Sequence, residues 1–374
     1  MIQRNIQENI EKWLFKEKVI ILYGARQVGK TTLVKNLLEK YKSTSYFSCD
    51  HLQVQNALEK ADPLRIKSFL GDSKLIVLDE AQKILNIGTI LKIMVDTYPD
   101  TQIIATGSAS FDLANKINEP LTGRSIEFTL PPLSLSEISQ GEPFMKTHAR
   151  LEEFLKFGMY PEIILSESMS HKIRLLDNLS SNSLYKDIFE LENIKKPKLL
   201  LKLLELLAMQ LGNEVSIHEL AVTLQCSRDL VEKYLDLLEK SFVLFRLRPL
   251  SRNLRSEITK KQKIYFYDLG IRNSILHQYN DINLRTDIGA LWENFLIIER
   301  LKYLQTQNSF CNKYFWRTKQ QKEIDYLEEY NQNISAYEFK WKKKPKKIIK
   351  EFLEAYPESS FQVIHTENYW EWVM

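Results

Sequence analysis

VIILYGARQVGKTTLVKNLL, from Val19 to Leu38, decides how the rest of the chain is read. The apolar run Val19 to Tyr23 predicts a buried strand, and the residues from Lys30 onward predict an amphipathic helix. Between them stands the complete pattern G-x-x-x-x-G-K-[ST], Gly24 to Thr31, at the strand-to-helix turn where a phosphate-binding loop must lie. Gly24 and Gly29 permit backbone angles and a close approach that a side chain would block. The segment Gly24, Ala25, Arg26, Gln27, Val28, Gly29, Lys30, Thr31 and Thr32 then turns its N–H groups and the positive helix end toward phosphates. Lys30 would place a point charge on the β- and γ-phosphates, and the Thr31 hydroxyl would ligate Mg²⁺, so ATP and Mg²⁺ are the expected cofactors. A glycine-rich turn with an incidental Lys-Thr is the alternative.

Downstream, KLIVLDEAQ (Lys74 to Gln82) reads as an apolar strand ending in an acidic pair, the Walker B pattern. Carboxylates at the carboxyl end of a buried parallel strand lie at the crevice where such sheets bind ligands. Asp79 is assigned to Mg²⁺, directly or through water, and Glu80 to activating the attacking water. The strand predicted over Thr101 to Thr106 runs into ATGSAS, where Ser108, or else Thr106, could contact the γ-phosphate; a helix N-cap is the plainer reading of the same residues. In LTGRSIEFTL, Arg124 before a fifth strand is a candidate arginine finger acting in trans in a homo-oligomer, or a surface arginine. Strands alternating with helices around a phosphate loop predict a doubly wound parallel sheet. Gln82 completes the string DEAQ, but no second set of helicase motifs accompanies it.

At 374 residues the chain exceeds one typical core, so two or three domains are expected. A net charge of +4 permits nucleic acid as a partner without arguing for it. Cys49, Cys226 and Cys311 form no C-x-x-C pair, which argues against a cysteine-rich zinc site or a disulfide framework and makes a reducing cytoplasm the expectation. The N-terminal segment lacks a signal-peptide core. The greasiest stretch, Leu199 to Leu211, is interrupted by Lys202 and Glu205, so no membrane span is expected.

In the middle, helices predicted over Leu199 to Gln210, Ser216 to Leu224 and Arg228 to Lys240 precede the alternating strand Phe242 to Pro249. That is the winged-helix order, with Arg228 to Leu238 as the recognition-type helix. Its exposed candidates are too acidic for a DNA-reading face, and a packing or lid role is the alternative. The basic run RLRPLSRNLRSEITKKQK (Arg246 to Lys263) could follow a phosphate backbone or form a solvated rim.

The last third carries carboxylates with nuclease spacing. A helix predicted from Asp287 to Leu304 bears Glu293. EIDYLEEY and ISAYEFKW, joined by the polar turn NQN, predict a hairpin that brings Asp325 near Glu338 and Lys340. In this set Asp325 and Glu338 would bind a divalent metal, assisted by Glu293. Lys340 would position the attacking water and stabilise developing charge. Ile324 stands where a proline would complete the PD-(D/E)xK pattern. The run KWKKKPKKIIK (Lys340 to Lys350) supplies the densest cationic patch in the chain, or a solvated turn.

GARQVGKTTL, VLDEAQ, ATGSAS, LTGR, PPLSLSEI, FGMYPEIIL, YKDI and DLGIRN together resemble one family of bacterial and archaeal AAA-like P-loop ATPases. The resemblance implies an ATPase domain, a helical winged-helix-like region and a C-terminal domain of unknown function, here resembling the PD-(D/E)xK nuclease fold. The expected architecture is α/β, with a doubly wound ATPase domain over 1–140, a helical linker over 141–195, a winged-helix-like region over 196–262 and a restriction-endonuclease-like domain over 263–374. The expected function is a Mg²⁺-dependent ATPase coupled to a nuclease-like, DNA-engaging domain. The rival is an ATP-dependent switch whose C-terminal domain binds a protein partner and cuts nothing.

Overall fold

The computed structural model describes residues 2–59, 62–107, 121–184, 196–250, 261–318, 320–343 and 350–374. Ser108, the YKDI motif, Arg252, Arg255, Lys260 and, in the C-terminal lysine run, Lys344, Lys346 and Lys347 lie outside them. The chain divides into two compact units. One is built on Met1–Leu133 and takes in Lys240–Phe242; the other comprises Ser134–Asn182, Lys195–Glu239 and Val243–Met374.

The first unit is organised on five parallel strands: β1 (Val19–Tyr23), β2 (Thr44–Ser48), β3 (Leu75–Asp79), β4 (Gln102–Gly107) and β5 (Ser125–Thr129). Their spatial order is β2-β3-β4-β1-β5. Every residue of β1, β3 and β4 is buried, whereas the edge strands are partly open, with Glu127 of β5 exposed. Continuous apolar runs are what a parallel sheet covered on both faces requires. Val19, Ile21 and Tyr23 share a cluster with Ile87, Ile90, Leu91 and Met94 from the helix Ile87–Thr97. This packing fixes the carboxyl ends of β1, β3 and β4 side by side.

The second unit carries a mixed sheet ordered β12-β11-β10-β9-β7-β8-β6. Its strands are β6 (Glu214–Val215), β7 (Leu244–Pro249), β8 (Gln262–Phe266), β9 (Asn312–Arg317), β10 (Glu323–Tyr330), β11 (Asn333–Phe339) and β12 (Ser360–Ile364). Helix Pro197–Met209, β6, helices Ile217–Thr223 and Arg228–Lys240, then β7 and β8 follow in order. The division expected at 262/263 falls inside this sheet. β7 pairs antiparallel with β8 on one edge and parallel with β9 on the other, so no seam separates the two regions. The expected 140/141 division also shifts. Ser134 and Glu137 form a capping box, and Leu135 N donates to Glu299 Oε2 at 2.6 Å, which places PPLSLSEI from Ser134 onward in the second unit.

From residue 288 the order is helix (Ile288–Thr306), three antiparallel strands, helix (Lys350–Ala355), then β12 parallel to β11. The helix Ile288–Thr306 is buried on several sides, and its Asn294 amide bonds both the N–H and the carbonyl of Phe266. Asn331 and Gln332, both at positive φ (48° and 68°), make the two-residue turn of the β10–β11 hairpin. Such turns match the right-handed strand twist, and asparagine tolerates that conformation.

Two family-like motifs meet in a joint. Asp268 caps the helix Leu269–Ile275 and accepts from Met159 N at 2.7 Å. A Cβ on Gly158 would lie 2.0 Å from the Asp268 carboxylate, and one on Gly270 would lie 2.1 Å from the Phe157 carbonyl oxygen. Asn273 donates to the carbonyls of Leu155 and Lys156, satisfying the end of the helix Leu151–Phe157.

Candidate functional site

The phosphate loop joins β1 to the helix Lys30–Glu39. A Cβ at position 24 would fall 2.4 Å from the Leu130 carbonyl oxygen, so only glycine fits there. Gly29 sits in the left-handed region at φ 97°. Lys30 is buried, and its Nζ donates to the carbonyls of Gly24 and Ala25 at 2.9 and 3.0 Å. The ammonium is thus held within the curl of the loop. Thr32 is exposed. Arg4 braces the loop from outside, donating to Val28 O and Pro131 O, each at 2.6 Å. No sequence pattern pointed to Arg4, because its partners lie 24 and 127 residues away.

Asp79 ends β3 and receives three hydroxyls. Thr31 Oγ1 donates to Oδ2 at 2.8 Å, Tyr46 OH donates to the same oxygen at 2.6 Å, and Thr106 Oγ1 donates to Oδ1. Burial first, then Asp79 and Glu80, raise the Tyr46 phenol above its ordinary value, which keeps it a donor. Glu80 lies at φ 55°, ψ 43°, an uncommon backbone for a non-glycine residue. Its N–H donates to Thr106 Oγ1 at 3.1 Å, and its Oε2 accepts from Gln82 Nε2 at 2.6 Å. Thr106, the second choice beside Ser108 from sequence, is therefore the β4 residue brought to the carboxylate. Tyr46 and Gln82 carried only weak signals: a tyrosine midway along the strand beside β3, and a polar residue two after Glu80.

Arg124 is not near this chain's own loop. Its carbonyl accepts from Val19 N at the start of β1, the strand end opposite the loop, and its Nε contacts Asp96 at 2.7 Å. The Mg²⁺ assignment fits the donor set: a threonine hydroxyl and a carboxylate oxygen lie 2.8 Å apart beside a buried lysine, and the recorded partners of Asp79 are neutral hydroxyls.

The second carboxylate group forms where β8, β10, β11 and the helix Ile288–Thr306 converge. Asp325 Oδ2 accepts from Phe339 N at 2.7 Å, and Lys340 Nζ donates to Glu338 Oε1 at 2.5 Å. The β9–β10 register shifts by one residue between Ile324 and Leu327, an irregularity spanning Asp325 and Tyr326. Bulges re-aim side chains and are enriched beside functional sites. Burial, then Glu293 and Glu338, push the Asp325 carboxyl well above the usual carboxylate range. Burial alone would lower Lys340, but Glu338 and Asp325 outweigh it and raise it.

Glu293, expected to assist the metal, is engaged elsewhere. Its Oε1 accepts from Lys263 Nζ at 2.8 Å and from Tyr265 OH at 2.5 Å. Lys263 is 1% exposed and also pairs with Glu323. Among the described residues no group of three metal-ligating side chains is gathered. Glu338 Oε2, however, is buried without a hydrogen-bond partner, so one divalent ion between Asp325 and Glu338 fits what is present.

The nucleic-acid candidates are redistributed. Arg246 contacts Glu232, Asp236 and Glu239 at 3.3, 2.5 and 2.7 Å, and Lys263 is buried, so neither tracks a phosphate backbone as the basic run implied. Arg248 and Lys261 are exposed. Lys343 pairs with Glu367 at 3.2 Å. Tyr369 and Trp372 are buried in the core.

Residues 16–139 match the model of an AAA domain family, 148–281 that of a domain of unknown function (DUF8612), and 288–370 that of another (DUF4143). An uncharacterized protein of Mycobacterium tuberculosis is 28% identical over 90% of this chain and 74% of its own length. One of Methanocaldococcus jannaschii is 26% identical over 86% and 74%. A solved Walker-type ATPase of Pyrococcus abyssi is similar in fold, with a TM-score of 0.50, 14% identity, and coverage of 74% of this chain and 96% of that one. Among the described residues no helix is long and apolar enough to cross a membrane. The strand order, the loop geometry and the family match agree: the N-terminal unit carries an AAA-like P-loop ATPase domain.

Proposed function

We propose that the protein is a cytoplasmic Mg²⁺-dependent ATPase whose nucleotide state controls a nuclease-like, DNA-engaging C-terminal unit. The observation that carries the ATPase part is the convergence of Thr31, Thr106 and Tyr46 on Asp79 beside buried Lys30. Thr31 and Asp79 would hold Mg²⁺, which when bound would supply charge to offset the phosphates. Lys30 would leave the loop carbonyls for the phosphates, whose charge outcompetes a carbonyl dipole. Glu80, held by Gln82 and Thr106, would orient water for in-line attack. The Glu80→Gln variant is expected to keep nucleotide affinity and lose roughly 10²-fold in phosphate release; lost affinity would reverse the roles of Asp79 and Glu80. Arg124 would assist a neighbouring copy only by giving up Asp96.

Support for the nuclease-like part is the helix, three-strand, helix, strand order and Asp325, within the register shift of β10, beside Glu338 and Lys340. The test is Mg²⁺- or Mn²⁺-dependent cleavage of plasmid, linear and single-stranded DNA, with and without ATP, against Glu338→Ala/Lys340→Ala. DNA binding should weaken steeply with salt. The second reading, a switch that binds a protein partner and cuts nothing, is favoured by Lys263, whose ammonium already lies among the carboxylates. Absence of cleavage by the unaltered protein on all three substrates would select it.

A further inference from the structure

We propose that Lys263 is the resident cation of the C-terminal carboxylate cluster, withholding Glu293 and Glu323 from metal and leaving Asp325 and Glu338 as the only pair able to hold a divalent ion. This inference rests on reading the cluster as a metal centre, and it narrows that centre to one ion.

The geometry carries the assignment. Lys263 stands on β8, not on the hairpin that bears the nuclease-like pattern, and its side chain is almost wholly shielded from water. Its Nζ lies 2.8 Å from Glu293 Oε1 and also contacts Glu323. Tyr265, two residues along the same strand face, donates to the same Glu293 oxygen at 2.5 Å. Arg317 contacts the other Glu323 oxygen, Oε2, at 3.2 Å. Glu293 and Glu323 are therefore tied to fixed cationic donors. Asp325 and Glu338 differ. Asp325 Oδ2 is bound by a backbone N–H, Glu338 Oε1 by the partly exposed Lys340, and Glu338 Oε2 is buried with no partner. An ammonium and a divalent ion compete for a carboxylate: shielded Lys263 is fixed in place and does not yield to a metal, whereas Lys340, 36% exposed, can turn into water and release Glu338. A buried ammonium brings one positive charge and three donors with no dependence on solution metal. The cluster is accordingly half closed by its own chain.

The test measures Mn²⁺ binding by calorimetry and by loss of the free-ion spin-resonance signal. It uses the full chain carrying Asp79→Asn, without nucleotide, so that metal at the phosphate loop is absent. Asp325→Asn is expected to weaken binding at least tenfold and Glu293→Gln to change it less than about threefold. Lys263→Met is expected to add a metal equivalent or tighten binding at least tenfold, and its melting temperature should fall and then recover as Mn²⁺ is added. Equal losses in Glu293→Gln and Asp325→Asn would overturn the proposal, as would a folded Lys263→Met protein with unaltered metal binding. Should Lys263→Met not fold even with Mn²⁺, the comparison of Glu293→Gln with Asp325→Asn decides alone. If the chain with Lys263 intact binds no Mn²⁺, the metal-centre reading fails, while a gain in Lys263→Met would still uphold the role of the lysine.

Discussion

The two carboxylate centres of this chain are satisfied by opposite means. Asp79 is met by hydroxyls from Thr31, Tyr46 and Thr106, while Glu293, Glu323 and Glu338 of the second unit are met by ammonium and guanidinium groups from Lys263, Arg317 and Lys340. A hydroxyl stabilises a carboxylate without neutralising it, so on the proposed reading Mg²⁺ would meet an unneutralised carboxylate and could take the threonine oxygen as a ligand. A lysine neutralises its partner and must be displaced. On that reading the first centre is left open to a cation, while the second has largely supplied its own. The same residue types at similar spacings thus carry different expectations once the partners are known.

The contrast can be broken most directly at Lys30. Lys30→Ala should reduce ATP hydrolysis to background in a phosphate-release assay, a loss of at least about 10²-fold; undiminished turnover would remove the phosphate loop from the chemistry. Next in size is Lys263→Met. Stranding Glu293 with no cation inside the fold should cost about 3–5 kcal/mol, read from urea melts without added metal. A change within error would mean that the ammonium contributes no net pairing.

A smaller effect tests whether ionic partners make the second unit responsive to acid. Burial would raise Asp287, but Arg285 and Arg272 win and depress it to about 2. The stabilisation is present above the unfolded carboxyl value near 3.9 and is lost as pH falls from about 4 toward 2. It amounts to about 2 kcal/mol, and Asp287→Asn should abolish that part of the acid limb in stability-versus-pH curves. The smallest expected effect lies at Tyr46. Tyr46→Phe removes one neutral hydrogen bond to Asp79 and should slow hydrolysis by roughly fivefold, about 1 kcal/mol. A loss as large as that of Glu80→Gln would place Tyr46 among the groups that touch the reaction.

What the sequence made legible followed from contiguity. Val19–Tyr23, the loop, the acidic pair after β3 and the β10–β11 hairpin each announce themselves within about twenty residues, through period and turn chemistry. What it hid depends on strands meeting from afar. Nothing in Gln262–Phe266 says that Lys263 will point at Glu293 and Glu323, because in the linear pattern it closes a run of surface cations. The joining of β7 to β9 is likewise invisible, since an edge offered to either neighbour leaves no mark on alternation. Arg4 and Tyr46 escaped for the same reason: their partners are set by topology.

The joint between Gly158 and Asp268 changes how the motifs FGMYP and DLGIRN should be used. Neither carries a reacting group in this structure; each records the shape of the other, one missing a side chain where the other places a carboxylate. They behave as the two halves of a hinge plate cut to match. In the search for related chains, either motif alone is a poor signature, and the pair, compared together, is the unit of inheritance to score. A natural exchange of Gly158 for a larger residue should be found only with a shortened residue at 268.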